Sequence, residues 1–263
     1  MKFENYHRIG FSYEGRVLTV TLQGNAVNAV DAAMHDDLAR VFTDLQGDPD
    51  SDIIVLTGRG RAFCAGGDFD WFQEQIDRPE TFRAIGHDAK RIVFGLLDLE
   101  KPIICRLNGA AAGLGATIAL LCDVIVADET ARIGDPHVKV GLVAGDGGAV
   151  IWPQLIGYAR AKEFLLTGDL IDASRAAAMG LINHAVPAAE LDATVAVIVE
   201  KIAGNPRWAV RWTKTVANIA LKDLANKLMD ASIAYEMASN VTADRREAVR
   251  AFVEKRKPNL TGD

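Results

Sequence analysis

Three short, continuous apolar runs constrain the fold more than any other feature of the sequence. They are "DIIVLTG" at residues 52–58, "PIICRL" at 102–107 and "VIVAD" at 124–128. A strand without polar alternation is typical of a sheet that is covered on both faces. Because stretches of helical periodicity separate the runs, we expect crossover connections and a mixed or parallel sheet, which is an α/β fold.

The remaining patterns predict how the chain is organised around these strands. Alternating residues from Ile9 to Leu22 predict a β-hairpin, Asp31 is a candidate N-cap for an amphipathic helix, and another helix is expected after Pro79. From Ala159 onward the pattern is almost entirely helical, and three amphipathic stretches follow Gly204. We therefore predict a core at residues 1–203 and a C-terminal helical domain at residues 204–263.

Composition excludes several classes of protein. With a net charge of −6 over 263 residues, the chain lacks the basic excess that nucleic-acid binding requires. Its three cysteines, Cys64, Cys105 and Cys122, lie far apart in apolar runs, as reduced thiols do. No run reaches the roughly 20 apolar residues of a membrane-spanning helix, and the first residues lack an apolar stretch of signal-peptide length. We expect a cytoplasmic protein that binds neither nucleic acid nor a membrane.

Three glycine-rich turns carry the functional information: "RAFCAGGDF" at 61–69, "NGAAAGLGATIALLCD" at 108–123 and "GLVAGDGGAVIWP" at 141–153. Each can begin a helix, whose first amides have no internal acceptor and attract negative charge. Two such turns facing one oxygen would form an oxyanion hole, although each turn alone could simply be a tight turn.

Two other kinds of site are not supported by these motifs. "GLGATIA" fits a dinucleotide fingerprint, but Asp128 follows Gly113 by 15 positions, where about 20 are expected. The five histidines include no pair at i, i+4, and there is no Cys-x-x-Cys, so we expect no metal site.

Taken in order with the tail "AFVEKRKP", the turns make residues 10–258 similar to the crotonase, or enoyl-CoA hydratase/isomerase, superfamily. The resemblance implies a crotonase-like (ClpP/crotonase) spiral of ββα units whose C-terminal helical domain supports a homotrimer or a dimer of trimers. It also implies an acyl-CoA substrate, with coenzyme A as part of the substrate and no separate cofactor.

The resemblance also implies roles for individual residues. The backbone amides of Gly67 and Leu114 would form the oxyanion hole. Ala65 and Asp68 would lie along the bound substrate, with Asp68 stabilising the turn rather than acting as a catalyst. The candidates for the apolar acyl pocket are Phe69, Trp71 and Phe72, and those for the CoA phosphates are Arg59, Arg61, Lys255 and Lys257.

The sequence departs from the hydratase pattern where hydratases of this family carry two glutamates. Thr117 and His137 occupy those positions, so the usual two-carboxylate clamp on water cannot form. The remaining candidates are Asp146, as a base or as a cap of the next helix, and His137, as a proton carrier or a structural residue. His35 lies beside the apolar face of its helix and either reaches the site, as a substrate-binding residue together with Thr117, or marks the boundary of that face.

Three functions remain open at this point. Hydration or double-bond shift of an enoyl-CoA, with Asp146 and His137 transferring protons, is the leading one. The second is C–C bond hydrolysis of a cyclic β-diketone without CoA, since a branch of the superfamily with that activity carries residues matching His35, His137 and Asp146. That branch also carries a His and a Glu where this chain has Gly115 and Thr117. The third is a non-catalytic acyl-CoA binder.

Overall fold

The computed structural model describes residues 3–263; the first two residues of the predicted core, 1–2, lie outside them. In chain order the strands are β1 (Ile9–Glu14), β2 (Val17–Leu22), β3 (Ile53–Gly58), β4 (Ala62–Cys64), β5 (Ile103–Leu107), β6 (Ala110–Ala112), β7 (Val124–Asp128), β8 (Arg132–Gly134), β9 (Ile171–Asp172) and β10 (His184–Val186). The helices are α1 (Ala32–Gly47), α2 (Phe69–Asp77), α3 (Phe82–Asp98), α4 (Leu114–Leu120), α5 (Gly148–Ile156), α6 (Tyr158–Thr167), α7 (Ala173–Ala178), α8 (Leu191–Ala203), α9 (Arg207–Asn240) and α10 (Ala243–Val253).

The larger sheet has six strands in the order β1-β2-β3-β5-β7-β10. Its edge is the predicted hairpin, in which Ile9 pairs with Leu22 across antiparallel β1 and β2, and every later neighbour is parallel. The three apolar runs are β3, β5 and β7, and all six residues of β3 are buried. The prediction of a mixed or parallel sheet is confirmed: the larger sheet is mixed, with one antiparallel pair at its edge.

The smaller sheet has four strands in the order β4-β6-β8-β9. Successive strands alternate between the sheets, because β3, β5 and β7 are each followed at once by a short strand of the smaller sheet. This repeated pair of strands, joined to the next pair by a helix or a turn, is the ββα spiral that the resemblance implied. The first two glycine-rich turns directly follow β4 and β6, so the spiral brings them to the same side of the molecule.

The helices follow the predicted signals with one difference. Asp31 caps α1 by accepting a hydrogen bond from the Met34 amide at 2.8 Å. The first two of the three amphipathic stretches predicted after Gly204 form one helix of 34 residues, α9, and only the third is separate, as α10. The reason is local: residues 207–240 contain neither glycine nor proline, so nothing interrupts the helix.

Helix α9 packs along the core, against α3 and α5. The predicted boundary at residue 204 falls in the connection between α8 and α9; the division into domains and the trimer remain predictions. Among residues 3–263, no helix combines the length and the apolar character needed to cross a bilayer.

Candidate active site

A small pocket of about 50 Å³ collects side chains from distant parts of the chain. Seven residues predicted from the sequence line it: His35, Gly67, Trp71, Phe72, Leu114, His137 and Asp146. They come from α1, from the three glycine-rich turns and the helices that follow them, and from the segment after β8. The fold therefore brings together in one pocket residues that are separated by more than 100 positions in the sequence.

The backbone amide of Gly67 has no hydrogen-bond partner in the bridge that fixes its turn against Val30. Val30 pairs with Gly67 as an isolated parallel bridge: the Val30 amide donates to Gly66 O at 2.8 Å, and Val30 O accepts from the Asp68 amide at 2.9 Å. The bridge uses the groups on either side of Gly67, so the amide of Gly67 itself faces away from Val30. A side chain cannot be added here, since a Cβ atom would lie 2.3 Å from the Phe72 ring.

The Leu114 amide is the first of α4. The first intrahelical hydrogen bond runs from the Thr117 amide to Gly113 O at 3.0 Å, and Leu114 precedes it, where a helix offers no acceptor. Gly113, the residue before the Leu114 amide, has a φ of +54°. Gly66, the residue before the Gly67 amide, has a φ of +89°. Both are left-handed conformations that favour glycine. Two unpaired amides thus line one pocket, which is the chemistry of an oxyanion hole.

His137 lies between two carboxylates. Its Nδ1 contacts Asp135 Oδ1, and its Nε2 lies 3.4 Å from Asp146 Oδ2. Asp135 is fully buried, on the side of His137 away from the pocket. No sequence pattern predicted a role for Asp135, although it stands only two residues before His137 in "GDPHVKVG".

Burial lowers the pKa of His137, but the charges of Asp135 and Asp146 outweigh burial and raise it well above its ordinary value of 6.5. Burial raises the pKa of Asp146, whereas the His137 charge and hydrogen bonds outweigh burial, so the pKa of Asp146 lies below its ordinary 3.8. These shifts favour the imidazolium form of His137 and the carboxylate form of Asp146. Both ring nitrogens then donate, and the Asp146 carboxylate is the negative end that lines the pocket.

The N-cap residue of α5 is Gly147, whose position offers no side chain to cap the helix. The carboxylate of Asp146 nevertheless accepts a hydrogen bond from the amide of Gly148, the first residue of α5, which also helps to lower its pKa. Thr117 is fully buried beneath Asp146, and its hydroxyl donates to Asp146 Oδ1 at 3.4 Å. Thr117 is thus placed to orient Asp146 rather than to line the pocket.

The ligand atoms of Asp135, His137 and Asp146 lie within 4.8 Å of one another, a spacing that could also hold a metal ion. Both ring nitrogens of His137 are already directed at the carboxylates. A metal ion would have to displace one of these contacts, so we treat the three residues as a hydrogen-bonded array.

Glu236 of α9 is a pocket residue that the sequence analysis missed. Its carboxyl lies against Gly145, where an added Cβ atom would be 2.6 Å from Glu236 Oε2. Burial first, and then the negative charge of Asp146, raise the pKa of Glu236 to about 8. Glu236 is therefore a neutral acid at pH 7. The sequence does contain a sign of this role: Glu236 is an acid at helical spacing from Met229, Ile233 and Asn240, which are buried on the same helix.

His35 and Trp71 form one wall of the pocket, with ring centroids 5.4 Å apart. His35 is buried, and burial lowers its pKa, so it is neutral at pH 7. Phe72 also lines the pocket, whereas Phe69 stacks on Phe252 at 4.0 Å, outside it.

Other predicted residues lie outside the pocket lining. Asp68 is the N-cap of α2, accepting from the Asp70 and Trp71 amides at 3.0 and 3.4 Å. The Ala65 amide donates to Val27 O at 3.1 Å. The exposed candidates for the CoA phosphates are Arg59, Arg61, Lys255 and Lys257. The binding roles of all six remain predictions.

Known proteins resemble this chain over nearly its full length. The family model described as enoyl-CoA hydratase/isomerase matches residues 12–263. The 1,2-epoxyphenylacetyl-CoA isomerase of Escherichia coli K12 is 32% identical over 254 residues, covering 95% of this chain and 96% of that protein.

Two solved structures that superpose on this chain are of proteins described by different activities. An enoyl-CoA hydratase/isomerase from Mycobacterium paratuberculosis superposes with a TM-score of 0.88 and 37% identity, covering 92% of this chain and 97% of its own. A β-diketone hydrolase from the cyanobacterium Anabaena sp. PCC 7120, bound to (S)-3-oxocyclohexyl acetic acid, superposes with a TM-score of 0.85 and 28% identity, covering 91% and 96%. With the family model, these similarities show that the chain belongs to the enoyl-CoA hydratase/isomerase family and has the crotonase fold.

Proposed function

We propose that this enzyme shifts the double bond of an enoyl-CoA by moving one proton. One observation carries the proposal: a single ionised carboxylate, that of Asp146, lines a pocket that two free backbone amides also line. Double-bond isomerisation needs one base and no water, whereas the hydratase pattern needs two carboxylates to hold water. Thr117 and His137 at those two positions therefore favour isomerisation over hydration.

The proposed steps conserve atoms and charge. The thioester oxygen accepts hydrogen bonds from the Gly67 and Leu114 amides, which makes the neighbouring C–H bond more acidic. Asp146 accepts the proton, and the electrons of that C–H bond delocalise to leave an enolate oxygen in the oxyanion hole. The proton then returns to a carbon two positions away, and the double bond moves. His137 keeps Asp146 oriented and ionised between turnovers.

The shape of the pocket supports a compact or planar acyl group. Trp71, Phe72 and Phe82 line it, and the open volume is only about 50 Å³. The similarity to a 1,2-epoxyphenylacetyl-CoA isomerase supports a cyclic acyl group against this apolar lining. We expect short or aromatic enoyl groups to react faster than long chains.

A second candidate is hydrolysis of a C–C bond in a cyclic β-diketone. The observation that favours it is that His35, His137, Asp146 and Glu236 all line one pocket, in a fold similar to that of a β-diketone hydrolase. Water would add to one carbonyl while Asp146 accepts its proton, the C–C bond would break to give an enolate, and neutral Glu236 would protonate the carbon. Against it, Gly115 cannot carry the histidine of that branch, since a Cβ atom there would lie 2.3 Å from Cys64 O.

Mass spectrometry in D₂O separates the possibilities. The purified protein is incubated with β,γ- and α,β-enoyl-CoA thioesters, short and aromatic, and in parallel with cyclic 1,3-diketones that lack CoA. Isomerisation is expected to add deuterium to carbon and to convert one thioester regioisomer into the other, with no gain of water. Gain of water on a thioester would mean hydration, gain of water on a diketone with ring opening would establish the second candidate, and no change in any substrate would leave a non-catalytic binder.

A further inference from the structure

A second cavity lies at the opposite end of the larger sheet from the active site. Its volume is about 250 Å³, and Val17, Ile53 and Pro102 line it at the points where β2, β3 and β5 begin. The first two glycine-rich turns of the active site instead follow β4 and β6, which come after the far ends of β3 and β5. No residue that lines one cavity lines the other.

The mouth of this cavity carries an excess of positive charge. Arg16, Arg207 and Arg211 all contact the Asp52 carboxylate, at 2.5, 3.2 and 3.0 Å. Asp48 and Asp50 also act on Arg16, more weakly than Asp52 does, and Asp48 is itself faced by Lys101. Three guanidinium groups thus pair with a single carboxylate. The positive charge that this carboxylate does not neutralise favours binding of a further anion.

Arg211 gives an independent sign of a missing acceptor. The residue is nine-tenths buried, and its Nη2 is already committed to Asp52. Its Nε is buried and has no hydrogen-bond partner among the described residues. A buried, unpaired N–H of a charged group is destabilising, which marks Arg211 as an incompletely paired guanidinium in the wall of the cavity.

The rest of the wall is aliphatic. Beside the arginines and Asp52, the lining consists mainly of Val17, Ile53, Pro102, Ile202, Ala203 and Val210. A bare inorganic anion would leave this surface in contact with water, whereas an alkyl chain would cover it.

We propose that this cavity binds a short aliphatic carboxylate, with its head group at Arg207 and Arg211 and its chain against the aliphatic wall. This site is separate from the active site and does not depend on which reaction occurs there.

Isothermal titration calorimetry with hexanoate tests the proposal. Three variants are compared with the wild type: Arg207→Gln removes one exposed cation, Ala203→Trp fills the cavity from an exposed position, and Lys227→Gln removes an exposed cation of the same helix remote from the cavity. We expect Arg207→Gln and Ala203→Trp each to weaken hexanoate binding at least tenfold and Lys227→Gln to leave it unchanged. Neutral hexanamide should bind the wild type at least tenfold more weakly than hexanoate.

Several results would overturn the proposal. Hexanoate that fails to bind the wild type, or that binds Arg207→Gln and Ala203→Trp as tightly as the wild type, would show that this cavity is not its site. Inorganic phosphate binding as tightly as hexanoate would show that the aliphatic wall contributes nothing. Circular dichroism of each variant ensures that a loss of binding is not a loss of fold.

Discussion

His137 Nε2 lies 3.4 Å from Asp146 Oδ2, while Nδ1 of the same ring contacts Asp135. This arrangement places the His137 ring between two buried carboxyl groups, and Asp146 is the one that lines the pocket. The charges of both groups favour the imidazolium form of His137. In the proposed reaction, the contact with His137 keeps Asp146 ionised and oriented.

Replacing Asp146 with asparagine should nearly abolish turnover. The amide keeps the size of the side chain but cannot accept the substrate proton, and loss of a positioned general base typically lowers kcat about 10²- to 10⁴-fold. Single-turnover kinetics with the thioester identified by mass spectrometry would measure the change. Retention of wild-type kcat by Asp146→Asn would remove Asp146 from the chemistry.

Asp135→Asn is the matched control, because it breaks the other contact of His137 and leaves Asp146 in place. The pKa of His137 should fall toward its ordinary value when the Asp135 charge is removed, since that charge raises it. We expect activity to persist below that new pKa and to decline above it, where His137 becomes neutral and no longer holds Asp146. A pH profile identical to that of the wild type would contradict a positioning role for the array.

The amide of Leu114, a proposed oxyanion donor, can be removed by a substitution that the start of a helix tolerates. Leu114 is the first residue of α4, where proline is tolerated because its missing N–H has no helical acceptor. Leu114→Pro should lower kcat about 10²- to 10³-fold, the usual effect of losing one oxyanion donor. Leu114→Ala removes the same side chain but keeps the amide, so it should lose far less activity. Equal losses in the two variants would place the effect in the side chain and not in the amide.

Local patterns predicted the fold because the decisive residues are neighbours in sequence. The buried strands, the β1–β2 hairpin and the Asp31 cap each depend on a few consecutive residues. The extent of α9 was not predicted, because two amphipathic stretches were interpreted as two helices. No glycine or proline interrupts residues 207–240, so the helix continues through both stretches. Helix ends are set by breakers and caps rather than by the apolar stripe.

Most of the predicted pocket residues lie in a motif or beside one, and His35 was predicted from its place beside the apolar face of its helix. Gly67, Leu114, His137 and Asp146 lie within the glycine-rich turns or beside them, and the structure brings them to one pocket. Glu236 lies 90 positions beyond Asp146, in a helix with no motif, and only the tertiary packing of α9 against the Gly145 segment reveals it. Asp135 was overlooked because its role depends on the direction in which the His137 ring points.

Asp68 offers a test that separates capping from substrate binding. Its side chain accepts from two amides at the start of α2, the helix that carries Trp71 into the pocket. Asp68→Ala should lower the free energy of unfolding by about 1 kcal/mol, whereas Asp68→Ser, which can still cap, should recover most of it. Urea denaturation measures both. If Asp68 instead binds substrate through its charge, Asp68→Ser will raise KM as much as Asp68→Ala does.

Glu236 should make the protein less stable as the pH rises. Its pKa is about 8 in the folded protein against an ordinary 4.5, so between these values the folded state holds a proton that the unfolded state has released. Each pH unit in this window should then lower the free energy of unfolding by at most about 1.4 kcal/mol from this group alone.

Glu236→Gln imitates the protonated acid and cannot titrate, so its stability relative to the wild type should grow steadily from pH 5 to pH 8 and then level off. Urea denaturation at pH 5, 6, 7, 8 and 9 measures the difference, with Glu200→Gln on the surface of α8 as a control for the substitution itself. A difference between Glu236→Gln and wild type that stays constant across this range would mean that Glu236 is ionised in the folded protein and cannot act as the neutral acid of the pocket.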